Sequence, residues 1–280
     1  MEILDKSILA ETEGTRVVKI EVNQPLIASK AEAGQFVVLM AKAEGERIPL
    51  TVVDKDVAKG SITLIFQELG LTTKFLGKLK KGDSLYSIAG PLGHPTEIKK
   101  YGNVILVGGG VGIAEIYPVA KALKEAGNCV IAIIGARTKE LLILENELKN
   151  ISDELHITTD DGSYSRKGFV TDILKESLTC NLKLKTYNLI YAVGPIPMMR
   201  MVSSIGFEHK IKTVVSLNAL MVDGTGMCGS CRVTVGGKIK FSCVDGPEFE
   251  GALIDWDEFE KRSRIYADKE KHICKLRGLN

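Results

Sequence analysis

The chain has 280 residues, 45% of them hydrophobic and 26% charged, a balance that excludes disorder and leaves room for two or three domains. Lys and Arg number 37 against 35 Asp and Glu, a net charge of +2, so no overall field draws the chain onto nucleic acid. Residues 1–11 carry three acids and one lysine without an apolar core, and the uncharged run 101–114 falls short of the roughly 18–20 residues of a membrane span. A cytoplasmic protein without a membrane or nucleic-acid partner is expected.

In chain order, residues 16–22 alternate, 35–40 are β-rich, 61–66 follow a glycine turn and 84–88 follow Lys81-Gly82-Asp83. With one helix near 72–77, these short strands predict a small antiparallel β-barrel over residues 1–97. The pattern changes after Gly90-Pro91-Leu92-Gly93. Strand runs at 103–107, 129–135, 155–159 and 189–194 alternate with helical stretches at 114–126, 140–150 and 169–177. That alternation predicts an α/β domain over 98–220, its parallel sheet covered on both faces. From Asp223 the chain turns glycine- and cysteine-rich with short strands, a third unit over 221–280.

Six cysteines are too few and too unevenly spaced for a disulfide scaffold of this length. Cys228, Cys231 and Cys243 follow Asp223 as D-x4-C-x2-C-x11-C. The plant-type [2Fe–2S] pattern is C-x4-C-x2-C with a fourth cysteine downstream, so an aspartate here holds the first cysteine's position. Carboxylate is a harder ligand than thiolate but suits ferric iron. Glycines 224, 226 and 229 let the loop wrap with its N–H groups toward sulfur. A Cys3Asp zinc site uses similar residues, but the glycine-laced loop favours iron–sulfur. Cys129 reads as a core residue at a strand start, Cys180 as a loop residue and Cys274 as a core or surface thiol.

Two stretches point to nucleotides. The strand at 104–107 runs into Gly108-Gly109-Gly110-Val111-Gly112 and then a helix, a turn that lets backbone approach a pyrophosphate. The fit to G-x-G-x-x-G is imperfect, and a plain packing turn is the alternative. Gly194-Pro195 supplies a second loop at the same carboxyl edge of the sheet. In the barrel, Arg47-Ile48-Pro49-Leu50-Thr51 combines a cation, a rigid turn and a hydroxyl. Gly70-Leu71-Thr72-Thr73 offers free N–H groups and hydroxyls to phosphate. His94, His156, His209 and His272 are scattered and read as surface or core, with no Ser/His/Asp triad.

Together these residues resemble the ferredoxin–NADP reductase superfamily over residues 3–251. Within it they are most similar to the electron-transfer subunits of dihydroorotate dehydrogenase and the small subunits of NADH-dependent ferredoxin:NADP oxidoreductase, or sulfide dehydrogenase. The resemblance implies a FAD-binding β-barrel, an NAD-binding α/β domain and a C-terminal [2Fe–2S] domain. Arg47, Pro49, Leu50 and Thr51 match the flavin motif, whose arginine meets the FAD pyrophosphate while the other three line the isoalloxazine. Gly70, Thr72 and Thr73 match its second phosphate loop. Gly109, Gly110, Gly112, Asp160, Asp161, Gly194 and Pro195 match the nicotinamide-nucleotide side. Asp223, Cys228, Cys231 and Cys243 stand as the cluster ligands.

Dihydroorotate dehydrogenase subunits use four cysteines, whereas the ferredoxin:NADP oxidoreductase small subunit has Asp plus three Cys, so Asp223 favours the second relative. That resemblance implies an electron carrier between NAD(H), FAD and the cluster, with cofactors rather than side chains doing the chemistry. It would form a heterodimer with a larger subunit holding its own FAD and [4Fe–4S] clusters, in an electron-bifurcating enzyme that reaches ferredoxin. The alternatives are the pyrimidine-pathway subunit and, in another class, a redox-sensing module that binds dinucleotide without turnover. Arg137, after the second strand of the nucleotide domain, sits where a 2′-phosphate clamp could form. A lone arginine with Glu140 nearby is not a basic pocket, and NAD is expected rather than NADP.

Overall fold

The computed structural model describes residues 1–181, 186–267, 269 and 272, with backbone only at 180 and 181; Cys274 lies outside them. Its first part is built on alternation. In β2 (Thr15–Asn23), Val18, Ile20 and Val22 point into a core while Lys19 and Glu21 stay partly exposed, which a half-buried strand demands. β2 pairs with β1 (Ile3–Thr12) on one side and, after α1 (Pro25–Lys30), β3 (Phe36–Met40), β4 (Arg47–Thr51) and β5 (Asp54–Asp56), with β6 (Ser61–Gln67) on the other. α2 (Leu71–Leu76) and β7 (Ser87–Leu92) come next in the chain. Two antiparallel sheets result, β1-β2-β6-β5 and β4-β3-β7, closed over a core that includes Ile20, Leu39, Leu64 and Leu76. This is the barrel. β1 carries no sequence signal because only Ile3 and Ala10 of it are buried, and β7 starts three residues later than the run 84–88.

The α/β part consists of β8 (Asn103–Gly109), α3 (Gly112–Glu125), β9 (Cys129–Ala136), α4 (Glu145–Ile151), β10 (Glu154–Thr159), β11 (Arg166–Lys167), α5 (Val170–Asn181), β12 (Tyr187–Val193), α6 (Ile196–Glu208) and β13 (Thr213–Ser216). Strand β8 is buried on both faces: Ile105 and Val107 enter one core, Val104 and Leu106 the other. That is why it reads as an unbroken apolar run. Cys180 belongs to α5, not to a loop.

The helix expected over 140–150 is broken. A 3-10 turn at Lys139–Leu141 gives way to extended chain, Leu144 is left-handed with φ +54°, and only then does α4 begin. Leu141-Leu142-Ile143-Leu144 are four apolar residues in a row that all pack on one core. A helix would turn some of them to water, whereas an irregular segment buries them together.

The C-terminal part contributes a hairpin, β14 (Arg232–Val235) and β15 (Lys238–Phe241), then β16 (Glu248–Glu250) and α7 (Trp256–Ser263). Strand β16 adds antiparallel to β13, completing the order β11-β10-β9-β8-β12-β13-β16. Glu248 of β16 accepts hydrogen bonds from Tyr191 Oη of β12 (2.8 Å) and Thr96 Oγ1, just beyond the barrel (2.5 Å). One carboxyl thus joins all three parts. Burial raises its pKa.

Candidate functional site

A cleft of about 670 Å³ opens where the barrel meets the carboxyl edge of the parallel sheet, the edge at which such sheets bind ligands. Gly109, Gly110 and Gly112 form its floor, with Gly194 and Pro195 after β12 beside them and Arg137 and Asp160 at the ends of β9 and β10. Two of the glycines are needed for different reasons. A β-carbon on Gly112 would run into the Val193 carbonyl, so glycine lets α3 press against β12. Gly110, at φ +58°, has open space before it and makes the turn. Arg137 donates from Nη2 to Thr15 Oγ1 of the barrel at 3.2 Å. Asp161 does not line the cleft; its carboxylate takes hydrogen bonds from the backbone N–H (2.9 Å) and hydroxyl (2.7 Å) of Ser163. None of His94, His156, His209 and His272 lines it either.

The barrel motif lies next to this cleft rather than in it. Arg47 is exposed at the start of β4, and among the described residues its guanidinium has no ion-pair partner. The hydroxyl of Thr72 donates to Glu46 Oε2 at 2.7 Å, which brings the loop at 70–73 against the residue preceding Arg47. Thr73 Oγ1 accepts from the N–H groups of Leu69 and Gly70 (2.9 and 3.0 Å) and holds that turn. At the other end of β4, Thr51 Oγ1 lies 3.4 Å from Glu115 Oε2 in α3, and Glu115 does line the cleft. β4 therefore runs from an exposed guanidinium to the mouth of the cleft.

The cysteine loop has two halves. Asp223 Oδ1 and Oδ2 accept the N–H groups of Thr225 and Cys228, each at 2.9 Å, and those backbone donors hold its pKa down to about 2. Cys228 is exposed, its thiol pKa lowered by the Ser230 hydroxyl. Cys231 and Cys243 are buried with their sulfurs 3.2 Å apart. Burial, then the neighbouring Cys231 thiol, pushes Cys243 up to about 12. Among the described residues no three of these side chains converge on one point. The donor set nonetheless suits iron: two buried thiols lie side by side, and Gly226 directs its N–H at Cys243. Gly224 lies so close to the barrel that a β-carbon there would meet Leu92 Cδ1 at 2.8 Å and Val38 Cγ2 at 3.0 Å. Val38 is paired with Pro49 of β4, so the cysteine loop rests on the sheet that carries Arg47–Thr51.

Glu115 is not singled out by sequence reasoning. Its signal is a single carboxylate in the apolar run Gly112-Ile113-Ala114-Glu115-Ile116. Gln67, Phe169, Met198 and Asn218 also line the cleft, brought there from separate elements that no local pattern connects.

Comparison with known proteins agrees with this geometry. Residues 218–255 match the iron–sulfur cluster binding domain of dihydroorotate dehydrogenase B, and residues 106–204 the oxidoreductase NAD-binding domain. The chain is 48% identical over 270 residues to the dihydroorotate dehydrogenase B (NAD(+)) electron transfer subunit homolog of Thermotoga maritima, covering 96% of this chain and 93% of that one. It is 31% identical over 263 residues to the electron transfer subunit of Bacillus caldolyticus, covering 91% and 97%. A solved structure of NADH-dependent reduced ferredoxin-NADP oxidoreductase superposes with a TM-score of 0.91 at 48% identity, covering 100% of this chain and 98% of that one. Ferredoxin-NADP+ reductase from Plasmodium falciparum shares the fold (TM-score 0.61, 17% identity, covering 76% and 94%). Fold and site together define an oxidoreductase of the ferredoxin–NADP reductase type, taking FAD, an iron–sulfur cluster and NAD(H). The chain belongs to the family of dihydroorotate dehydrogenase B electron-transfer subunits. No described helix is long and apolar enough to cross a membrane.

Proposed function

We propose that this chain relays electrons between NAD(H) and a larger partner subunit, as the small subunit of an electron-bifurcating NADH-dependent ferredoxin:NADP oxidoreductase. Residues 1–97 hold FAD, 98–220 hold NAD(H) and 221–280 hold a [2Fe–2S] cluster. When bound, the flavin takes up a hydride and releases electrons singly, which the cluster passes on one at a time. The observation that carries this reading is the contact of Gly224 with Val38 and Leu92, since one-electron exchange needs the cluster loop beside the flavin sheet.

The residues divide the work. Arg47 faces the FAD pyrophosphate with Gly70, Thr72 and Thr73 around it, while Pro49, Leu50 and Thr51 line the ring. Gly109, Gly110 and Gly112 let backbone reach the dinucleotide pyrophosphate, with Gly194 and Pro195 closing over it. Arg137 and Asp160, which line the cleft, serve the adenosine end, and Asp161 holds the turn behind them through Ser163. Among the described residues Arg137 stands alone at the end of β9 with Glu140 nearby, which is no basic pocket for a 2′-phosphate, and its Nη2 donates to Thr15 of the barrel, so NAD(H) is the nucleotide. Asp223, Cys228, Cys231 and Cys243 ligate the cluster. The partner carries its own flavin and [4Fe–4S] clusters, and ferredoxin is reached through that heterodimer.

A second reading, the electron-transfer subunit of a dihydroorotate-oxidising enzyme, is favoured by the family model matched at 218–255. Asp223 opposes it. Affinity purification of the native protein separates the two: a larger partner with [4Fe–4S] clusters supports the first, and a flavin-barrel partner of about 300 residues, near the usual domain ceiling, supports the second. Isolated chain that binds NADH without losing its flavin colour would overturn both.

A further inference from the structure

Glu115 is the carboxylate in the cleft to which the proposed function gives no task. It sits in the first turn of α3, amid Ile113, Ala114 and Ile116, which are fully buried. From β4 it is faced by the Thr51 hydroxyl, 3.4 Å from Oε2. From β12 it is faced by the buried phenol of Tyr191, itself bound to Glu248. Gln67 of β6 and Asn218 beyond β13 line the same cleft and are uncharged. On α3 itself the next charged side chain is Lys121, which is turned to Asp54 at 3.4 Å. Among the described residues no cation pairs with Glu115. Burial accordingly raises its pKa to about 7, the Thr51 hydroxyl opposing that slightly.

Position gives this group a target. Along the sheet the order is β10-β9-β8-β12. Asp160 and Arg137 stand at the β10 and β9 end of the cleft, while Glu115 stands above β8 and β12 and touches Thr51 of the flavin strand. On the proposed function, which this inference rests on, the nicotinamide must meet the flavin at the Thr51 end. Its ring carries a positive charge in NAD+ and none in NADH. A carboxylate in partly desolvated surroundings distinguishes the two strongly.

We propose that Glu115 sets the preference of the cleft between oxidised and reduced nicotinamide. Ionised, it stabilises the cationic ring of NAD+; protonated, it does not, so NAD+ bound to the protonated form displaces one proton from Glu115 to solvent. The reduced nucleotide exerts no such pull. Raising the pH through neutrality therefore tightens NAD+ and leaves its neutral counterpart unchanged. Asp160 and Arg137 act at the adenosine end, shared by both nucleotides, and cancel from the comparison.

The test uses the full chain with its flavin oxidised. NAD+ and the redox-inert, uncharged analogue 1,4,5,6-tetrahydro-NAD are titrated at pH 6, 7 and 8.5, and binding is read from the flavin absorbance difference. Wild-type protein should bind NAD+ about fivefold more tightly at pH 8.5 than at pH 6, as a pKa moved by about one unit from about 7 requires, and the analogue equally at both. In weak buffer at pH 7, NAD+ should release protons and the analogue none. Glu115→Gln should hold the analogue normally and bind NAD+ with the weak affinity of wild type at pH 6, at every pH. Parallel pH dependence of the two ligands in wild type would overturn the inference, as would a Glu115→Gln variant with the wild-type ratio. Should Glu115→Gln not fold, the wild-type pair of titrations decides alone. Failure of both ligands to bind would instead remove the nucleotide reading and this inference with it.

Discussion

Val38 of β3 is paired with Pro49 of β4 and touches Gly224 of the cysteine loop across the domain boundary. Gly224 has φ +75° and no room for a β-carbon between Leu92 and Val38. Gly224→Ala should destabilise the protein by about 1–3 kcal/mol, through a left-handed alanine and overpacking. Thermal melts should show the loss, and metal analysis should show less iron per chain while flavin content is kept.

The two buried sulfurs of Cys231 and Cys243, 3.2 Å apart, should be indispensable to the cluster. Cys231→Ala should retain flavin and NAD+ binding but fall from about two irons per chain to none. Asp223→Cys should still assemble a cluster with a changed reduction potential, read by redox titration. Full iron in Cys231→Ala would show that this cysteine is no ligand.

Asp160 lines the cleft beside Arg137. Burial raises its pKa, Arg137 lowers it and Asp161 raises it again. Asp160→Asn should remove repulsion from a 2′-phosphate and narrow the preference for NAD+ over NADP+ by about tenfold. The ratio of the two dissociation constants is the measurement, and an unchanged ratio would move the ribose contact elsewhere.

Glu115 also bears on stability. Its folded pKa, raised from 4.5 to about 7 by burial, means that the folded state holds a proton the unfolded chain gives up. Stability from this group is complete below pH 4.5 and is lost as pH rises through about 7. Glu248, raised in the same direction by burial, adds a trend of the same sign. The melting temperature of the wild type should fall between pH 5 and pH 8, and Glu115→Gln should flatten part of that fall. A Glu115→Gln melt curve parallel to wild type across this range would contradict it.

Much of the architecture is legible because each piece is written locally. The apolar run of β8 announces a strand buried on both faces, and the alternation in β2 announces a barrel wall. The spacing from Asp223 to Cys243 announces a metal loop, because sulfur donors at short intervals with glycine between them serve little else. The segment 141–144 is not legible in this way: four consecutive apolar residues carry no period, and only the shape of the core makes them irregular. β16 gives no local sign of joining the nucleotide sheet, since strand pairing is a contact between residues far apart in the chain.

Residue types and their spacing were enough to determine the barrel, the nucleotide sheet and the composition of the cysteine loop, because those come from side-chain periodicity and ligand chemistry. That Gly224 rests on the sheet of β3, β4 and β7, that Glu115 faces Thr51 across the cleft, and that Glu248 joins three parts of the molecule was decided only by the tertiary structure. Each is a meeting of residues dozens of positions apart or more, selected by close packing between surfaces that no local pattern describes.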